Sequence, residues 1–336
     1  MSAIDELINA KVNHLRKIAE KNGRELLSPI DTIDIRDILS YLRDVAAWEA
    51  ILDSCEILGF INKQQGHRDI ARELIEMGVD AAIKLNRSDM QGRLTHDLAE
   101  IHHQQGRHEE ATYLFEESYR LLMLSGNKFG ALRSKHMLVM VLRGLGKKNR
   151  SLAYQKAKEV LEEARELAKE DNTISPWIAH PLEVMSIFAR DVGDLRLEEN
   201  LLSEALRIHL ESNQNDQSIM LGQCYRRLGQ LFVRKKDYEK AEYYYQESLK
   251  YSAKGQNLRV AATTMRYLGD LYAKRRAFDT ALLNYSQAMN IAIDGNFTDE
   301  QIALSLSLAY LYFRMGQFYD ALGEVQNFSF LRKTVR

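Results

Sequence analysis

The sequence predicts an all-α chain, an α-solenoid of about seven stacked helical hairpins, and three observations carry that expectation. Apolar residues recur at helical spacing in paired blocks of roughly 18 and 16 residues. The blocks restate themselves: YRRLGQLFVRKKDYEKAEYYYQESLKY (225–251) returns forty residues later as MRYLGDLYAKRRAFDTALLNYSQAMNI (265–291). Only three prolines occur, Pro29, Pro176 and Pro181, few enough to leave long helices unbroken.

Each element follows in order. Residues 1–51 stand outside the repeat and read as an N-terminal helical cap. One helix spans Ala3 to Lys21 and stops at Gly23, and a second begins near Asp31 and brings Trp48 over the first hairpin. The repeats occupy 52–330. Their anchors are Leu58-Gly59, Leu98-Ala99, Leu228-Gly229, Leu268-Gly269 and Leu308-Ala309, with two degenerate copies after Leu138 and Met185-Ser186. The small residue after Leu lets a neighbouring helix approach closely, and an aromatic three residues on (Phe232, Tyr272, Tyr312) fills the space between paired helices. Ala111, Ala241, Ala281 and Ala321 provide the second close approach, on the second helix. Short turns such as Gly106-Arg107-His108 join antiparallel helices. Gly126, Gly255 and Gly295 are expected to close the second helices as left-handed caps. The stretch 171–181 (DNTISPWIAHP) interrupts the pattern and is expected to be a longer loop, or a hinge; residues 331–336 form a basic tail. A single hairpin cannot bury its own apolar face, so copies must stack.

The Leu-Gly, aromatic, Ala, aromatic signature resembles the tetratricopeptide repeat, in the long forty-residue form of kinesin light chains, Rap-type regulators and NB-ARC or other STAND regulators. The resemblance covers about residues 52–330. It implies a right-handed superhelix whose first helices line a concave groove that binds peptides or partner proteins. It does not extend to the clamp with which some members hold chaperone C-termini. Arg226 and Gln230 suit the first pair of that clamp, but Tyr267, Ala303 and Ser307 occupy its other positions.

The 336 residues carry a net charge of −1, with 45% hydrophobic and 28% charged residues, which gives no general pull toward nucleic acid or acidic membranes. Residues 1–51 lack a glycine turn before a basic second helix, which argues against DNA binding. No stretch approaches the ~20 apolar residues of a membrane span, no secretion signal opens the chain, and Cys55 and Cys224 lie far apart; a cytoplasmic protein is expected. No cofactor is expected either. Gly144-Leu145-Gly146-Lys147-Lys148 fails the phosphate-loop spacing and lies at a repeat's own turn. Nothing supplies a nucleophile–base pair or a metal shell, so an enzyme is not expected.

Candidate binding residues come from placing each first helix in one frame. The last three repeats then turn Gln223, Arg226, Arg227, Gln230, Arg234, Arg266, Asp270, Lys274, Tyr310 and Arg314 inward, six cations against one acid. Earlier repeats offer a mixed set: His96, Glu100, His103 and His136, beside Asp53, Glu56, Lys63, Arg93 and Asp97. The histidines lack the cysteine or fourth ligand of a structural zinc site, so they are expected to supply groove polarity. A focused cationic wall attracts carboxylates or phosphates. The expected function is a non-enzymatic scaffold or adaptor that holds an acidic peptide or partner segment, with charge reversal at Arg226, Arg227 or Arg266 weakening binding. The alternative is a Rap-like peptide sensor whose superhelix changes pitch and controls a signalling protein or transcription factor. The apolar end at Phe328-Ser329-Phe330-Leu331 leaves open a homodimer through an uncapped repeat.

Overall fold

The repeat spacing is realised as seven antiparallel hairpins among the described residues. The computed structural model describes residues 39–334 apart from 65–66 and 213–217, together with residues 6, 9 and 10. The hairpins are α1 (Trp48–Gln64) with α2 (Arg68–Lys84), α3 (Ser88–Gln104) with α4 (His108–Leu124), and α5 (Lys128–Gly144) with α6 (Arg150–Glu170). They continue with α7 (Ala179–Val192) and α8 (Leu195–Glu211), α9 (Ser218–Arg234) and α10 (Tyr238–Lys254), α11 (Leu258–Lys274) and α12 (Phe278–Asp294), then α13 (Thr298–Met315) and α14 (Phe318–Thr334). No strand occurs among the described residues.

The chain divides into two compact units, residues 1–171 and 172–336. In the first, Leu58, Ile75, Leu94 and Ile101 centre a core that also takes up Leu39 and Leu42, from the short helical turn before α1. Trp48, expected to belong to the cap, opens α1 itself. Most of the expected N-terminal helices lie outside the described residues. In the second unit, Leu228, Tyr245 and Leu268 form one cluster, and Tyr285, Leu304 and Leu308 another.

The close approaches expected from Leu-Gly are present. A Cβ on Gly229 would lie 2.5 Å from the Tyr245 ring, and one on Gly269 would lie 2.5 Å from the Tyr285 ring. Only a bare Cα lets those tyrosines bury. A polar counterpart of this packing recurs. Ser118 Oγ donates to the Gly92 carbonyl at 2.7 Å and lies 2.9 Å from Ser134 Oγ; Ser248 repeats both contacts with Gly222 and Thr264 at 2.7 and 2.9 Å. Each hydroxyl therefore ties a second helix to its own first helix and to the next one.

Two expectations about helix ends need correction. Gly255 and Gly295 are not left-handed; the positive φ falls one residue later, on Gln256 (50°) and Asn296 (53°), whereas Gly126 does adopt 79°. In all three turns the left-handed residue is the one directly before the N-cap of the following first helix, and Gly255 and Gly295 stand one position too early; in the second turn the Asn257 side chain then accepts a cap bond of 3.1 Å from the Val260 amide. Nor is 171–181 a loop. Residues Asn172–Ile178 wind as a short 3-10 helix around Pro176, and Pro181 sits in the first turn of α7, where its missing N–H costs nothing.

Candidate ligand-binding face

In the second unit, α9, α11 and α13 present the residues expected to bind. Helical periodicity places Arg226, Gln230 and Arg234 on one face of α9, and Arg266, Asp270 and Lys274 on the matching face of α11. What the sequence hid is that three of these six cations, Arg227, Arg234 and Arg266, already have carboxylate partners inside the unit. Arg227 meets the buried Glu183 of α7 at 3.2 Å and also donates to its main-chain carbonyl. His209 Nε2 reaches the other oxygen of Glu183 at 3.1 Å. Burial by itself raises the Glu183 carboxyl pKa, but the His209 hydrogen bond and the Arg227 charge outweigh it and hold the pKa below its ordinary value.

Arg234 is paired with buried Glu198 of α8, and Arg266 with buried Glu300 of α13. The Arg266 guanidinium also lies 4.5 Å from the centre of the Tyr267 ring. Asp270 accepts from Tyr285 Oη at 2.6 Å and from Ser307 at 3.3 Å. Arg314 stacks near Phe278 and Tyr310 and donates weakly to the Ala273 carbonyl. The expected six-to-one cationic excess is therefore largely neutralised by Glu183, Glu198 and Glu300. Charge reversal at Arg227 or Arg266 would break structural ion pairs, so neither is a clean probe of binding. Of these acids only Glu183 carried a signal, a lone carboxylate in the apolar run Pro181–Ala189; Glu198 lies beside Glu199 and Glu300 beside Asp299, as solvated acids do.

Arg226 differs. It is half-buried beside Arg227, and its Nε has no hydrogen-bond partner. Burial, then the Arg227 charge, lower its pKa. A desolvated guanidinium with an unmet donor is a costly arrangement unless an acceptor arrives. On the same face lies a cleft of about 280 Å³ lined by Arg190, Gln230, Arg234, Tyr267, Asp270 and Lys274, and the Lys274 side chain is exposed. Gln223 is half-buried and Tyr310 exposed, farther along the first helices.

In the first unit the expected residues are mostly structural. His96 is buried, with Nδ1 2.8 Å from Ser134 Oγ and its ring edge-on to Phe115. Its Nε2 approaches Glu100, which also pairs with Lys63. Burial raises the Glu100 pKa, but the His96 hydrogen bond and the Lys63 charge prevail and bring it down to about 2. His103 faces His108, Nδ1 to Nδ1 at 3.3 Å, and His136 is half-buried. No group of three or more metal-ligating side chains that could hold a metal ion occurs among the described residues. A larger cleft of about 440 Å³ in this unit has Tyr119, Met123 and Leu132 beneath an edge of Glu162, Glu166 and Glu170, the wrong sign for an acidic ligand.

A tetratricopeptide repeat model matches residues 93–122, which span most of α3 and nearly all of α4. The hairpins are tetratricopeptide repeats. The fold is shared across nearly the whole chain with the apo form of the quorum sensor NprR from B. thuringiensis. That match has 12% identity and a TM-score of 0.70, covering 99% of this chain and 89% of that one. The Rap conjugation gene regulator of plasmid pLS20, solved in complex with the Phr* peptide, matches at 11% identity and TM-score 0.64, over 98% and 92%. A STAND protein with a tetratricopeptide repeat sensor from Pyrococcus horikoshii matches at 16% and 0.63, over 100% of this chain and 54% of that one. These likenesses are of fold. No curated protein matches the sequence. No described helix is long and apolar enough to cross a membrane.

Proposed function

We propose that this tetratricopeptide protein is a non-enzymatic binder of a peptide or partner segment, held on the α9–α11 face of the second unit. The carrying observation is Arg226: a desolvated guanidinium with an unmet Nε donor, on the same helix face as a 280 Å³ cleft whose edge bears the exposed Lys274. A side-chain or terminal carboxylate of the ligand supplies the missing acceptor, and the Gln230, Tyr267 and Asp270 groups take its backbone and neighbouring polar atoms. The Phr* complex of the similarly folded pLS20 regulator supports a peptide as the ligand class.

The test is to select peptides by display on the full chain and titrate the winners against wild type and Arg226→Gln. The reading expects acidic winners, binding at least about tenfold weaker to the variant, which is a loss of ~1.4 kcal/mol. Helicity and melting temperature should not fall, since removing an unpaired buried charge relieves a cost. Equal affinity for both proteins removes Arg226 from the site.

A second reading, a peptide sensor that controls a signalling protein or transcription factor, is favoured by the unit boundary at Asp171–Asn172, beside the proline-bearing interruption, and by likeness to a quorum sensor. It requires small-angle scattering to register a change in radius of gyration when a selected peptide saturates the chain; an unchanged radius leaves the adaptor reading alone.

A further inference from the structure

Two hairpin turns of the second unit carry a charge pattern that the other described turns lack. The turn leaving α9 is Arg234-Lys235-Lys236, and the turn leaving α11, forty residues on, is Lys274-Arg275-Arg276. The last residue of each triplet is left-handed, with φ of 62° at Lys236 and 63° at Arg276. The turns after α3, α5, α7 and α13 give that place to Gly106, Gly146, Gly193 and Gly316. A Cβ is strained there and glycine is not, so two successive turns carry a cation where glycine would sit more easily. Between hairpins the left-handed residues are Asn86, Gly126, Gln256 and Asn296, all neutral, so the bias in sign belongs to one edge.

Half of these cations are answered from within the unit. Arg234 pairs with Glu198, Lys235 with Glu199 and Arg275 with Glu242, each acid coming from the hairpin before. Lys236, Lys274 and Arg276 are exposed and form no ion pair with a described residue. The acids that follow in sequence do not answer them either. Asp237 caps α10 and lies 3.5 Å from the Lys240 ammonium. Glu239 and Asp279 stand four residues before the exposed Tyr243 and Leu283, on the outer faces of α10 and α12. Lys274 joins this edge to the 280 Å³ cleft, which it lines with Arg190, Gln230 and Asp270. Tyr245 and Tyr267 line the same cleft and are near enough to Arg226 to act on its charge.

We propose that this face reads its peptide at two acidic points, one carboxylate at Arg226 and a second at Lys274, with Lys236 and Arg276 beside it. The second point presupposes the acidic peptide proposed for Arg226 and fixes the spacing of its charges. Arg226 and Arg234 are two turns apart on α9, about 12 Å. Lys274 is the counterpart of Arg234 one first helix on, about 9 Å to the side. Arg226 and Lys274 are therefore about 15 Å apart at the main chain, which an extended peptide covers in roughly four to five residues at ~3.3 Å each. The two points differ in kind. At Arg226 a desolvated donor is met by a hydrogen bond, whereas the exposed cations act through a field that salt weakens.

A display library of random short peptides, panned on the full chain, tests this, with the winners titrated by fluorescence anisotropy at about 50 and about 300 mM salt. Wild type is expected to enrich peptides with two acidic residues roughly four to five positions apart. The triple variant Lys236→Gly, Lys274→Gln, Arg276→Gly should bind them at least about tenfold more weakly at the lower salt, and most of that difference should vanish at the higher. Its melting temperature should not fall, since glycine suits both left-handed places. Lys158→Gln, Lys169→Gln and Lys250→Gln together remove the same charge from exposed positions elsewhere and should leave affinity within about twofold. Winners with one required acid, winners with paired acids at no fixed spacing, or an equal loss in the control triple each overturn the second point and leave Arg226 standing. Winners without acids, or winners indifferent to Arg226→Gln, overturn both points.

Discussion

At the scale of the residue, the sequence shows which side chains carry charge and conceals which charges are already answered. Arg227, Arg234 and Arg266 read as free groove cations because their partners, Glu183, Glu198 and Glu300, lie 44, 36 and 34 positions away, outside any local pattern. Removing one partner of a buried pair leaves the other unpaired, which is where the large costs arise. Glu183→Gln is therefore expected to lower unfolding free energy by about 3 kcal/mol in urea titration, through loss of the charge that holds both Arg227 and His209. A loss within the ordinary surface range of ±0.5 kcal/mol would mean the cluster is not stabilising. Glu100 gives a pH signature. Its pKa falls to about 2 in the folded chain, so its contribution is complete above the unfolded carboxylate range near 4.3 and disappears as pH drops toward 2. At neutral pH that amounts to about 3 kcal/mol at most. Glu100→Gln should flatten the acid limb of the stability curve between those limits, and an acid limb identical to wild type would refute the assignment.

At the scale of the element, forty-residue periodicity placed five hairpins, and the degenerate copies after Leu138 and Met185-Ser186 completed the seven, because each letter of the signature reports one local steric demand. Gly229 and Gly269 had to be small, and the tyrosine rings 2.5 Å from their would-be Cβ atoms explain it. Gly269→Ala should cost roughly 2 kcal/mol, in the range of overpacking a filled core, since the Tyr285 ring has no room to withdraw. Thermal melts showing no loss would mean that α11 and α12 can separate freely. The handedness of the stops was not legible. Gly255-Gln256-Asn257 contains a glycine and an amide that both tolerate φ > 0, yet Gln256 takes the left-handed conformation because it is the residue directly before the N-cap of α11, as Gly126 and Asn296 are before theirs. The proline stretch at 171–181 looked like a loop because proline breaks helix interiors, but one of its prolines bends a 3-10 turn and the other enters a first turn, both permitted places.

At the scale of the whole molecule, repeats contact mainly their neighbours, so perturbations should remain local. Hydrogen exchange on Glu183→Gln should quicken in α7, α8 and α9 and leave α1 to α4 at wild-type rates; uniform quickening would describe one cooperative body instead. The proposed ligand-binding face was legible as a list of polar positions in the second unit. Its selectivity was not, because that depends on which guanidinium lacks a carboxylate once the chain is folded. Arg226, whose Nε donor is unmet, is the one argued to await a ligand's carboxylate. The most direct measurement is photo-cross-linking of a selected peptide carrying a benzophenone, with the adducts mapped by mass spectrometry. Adducts on Gln230, Tyr267 and Lys274, lost in Arg226→Gln, are the predicted result; adducts on the outer faces of α10 and α12, or confined to the first unit, would contradict it.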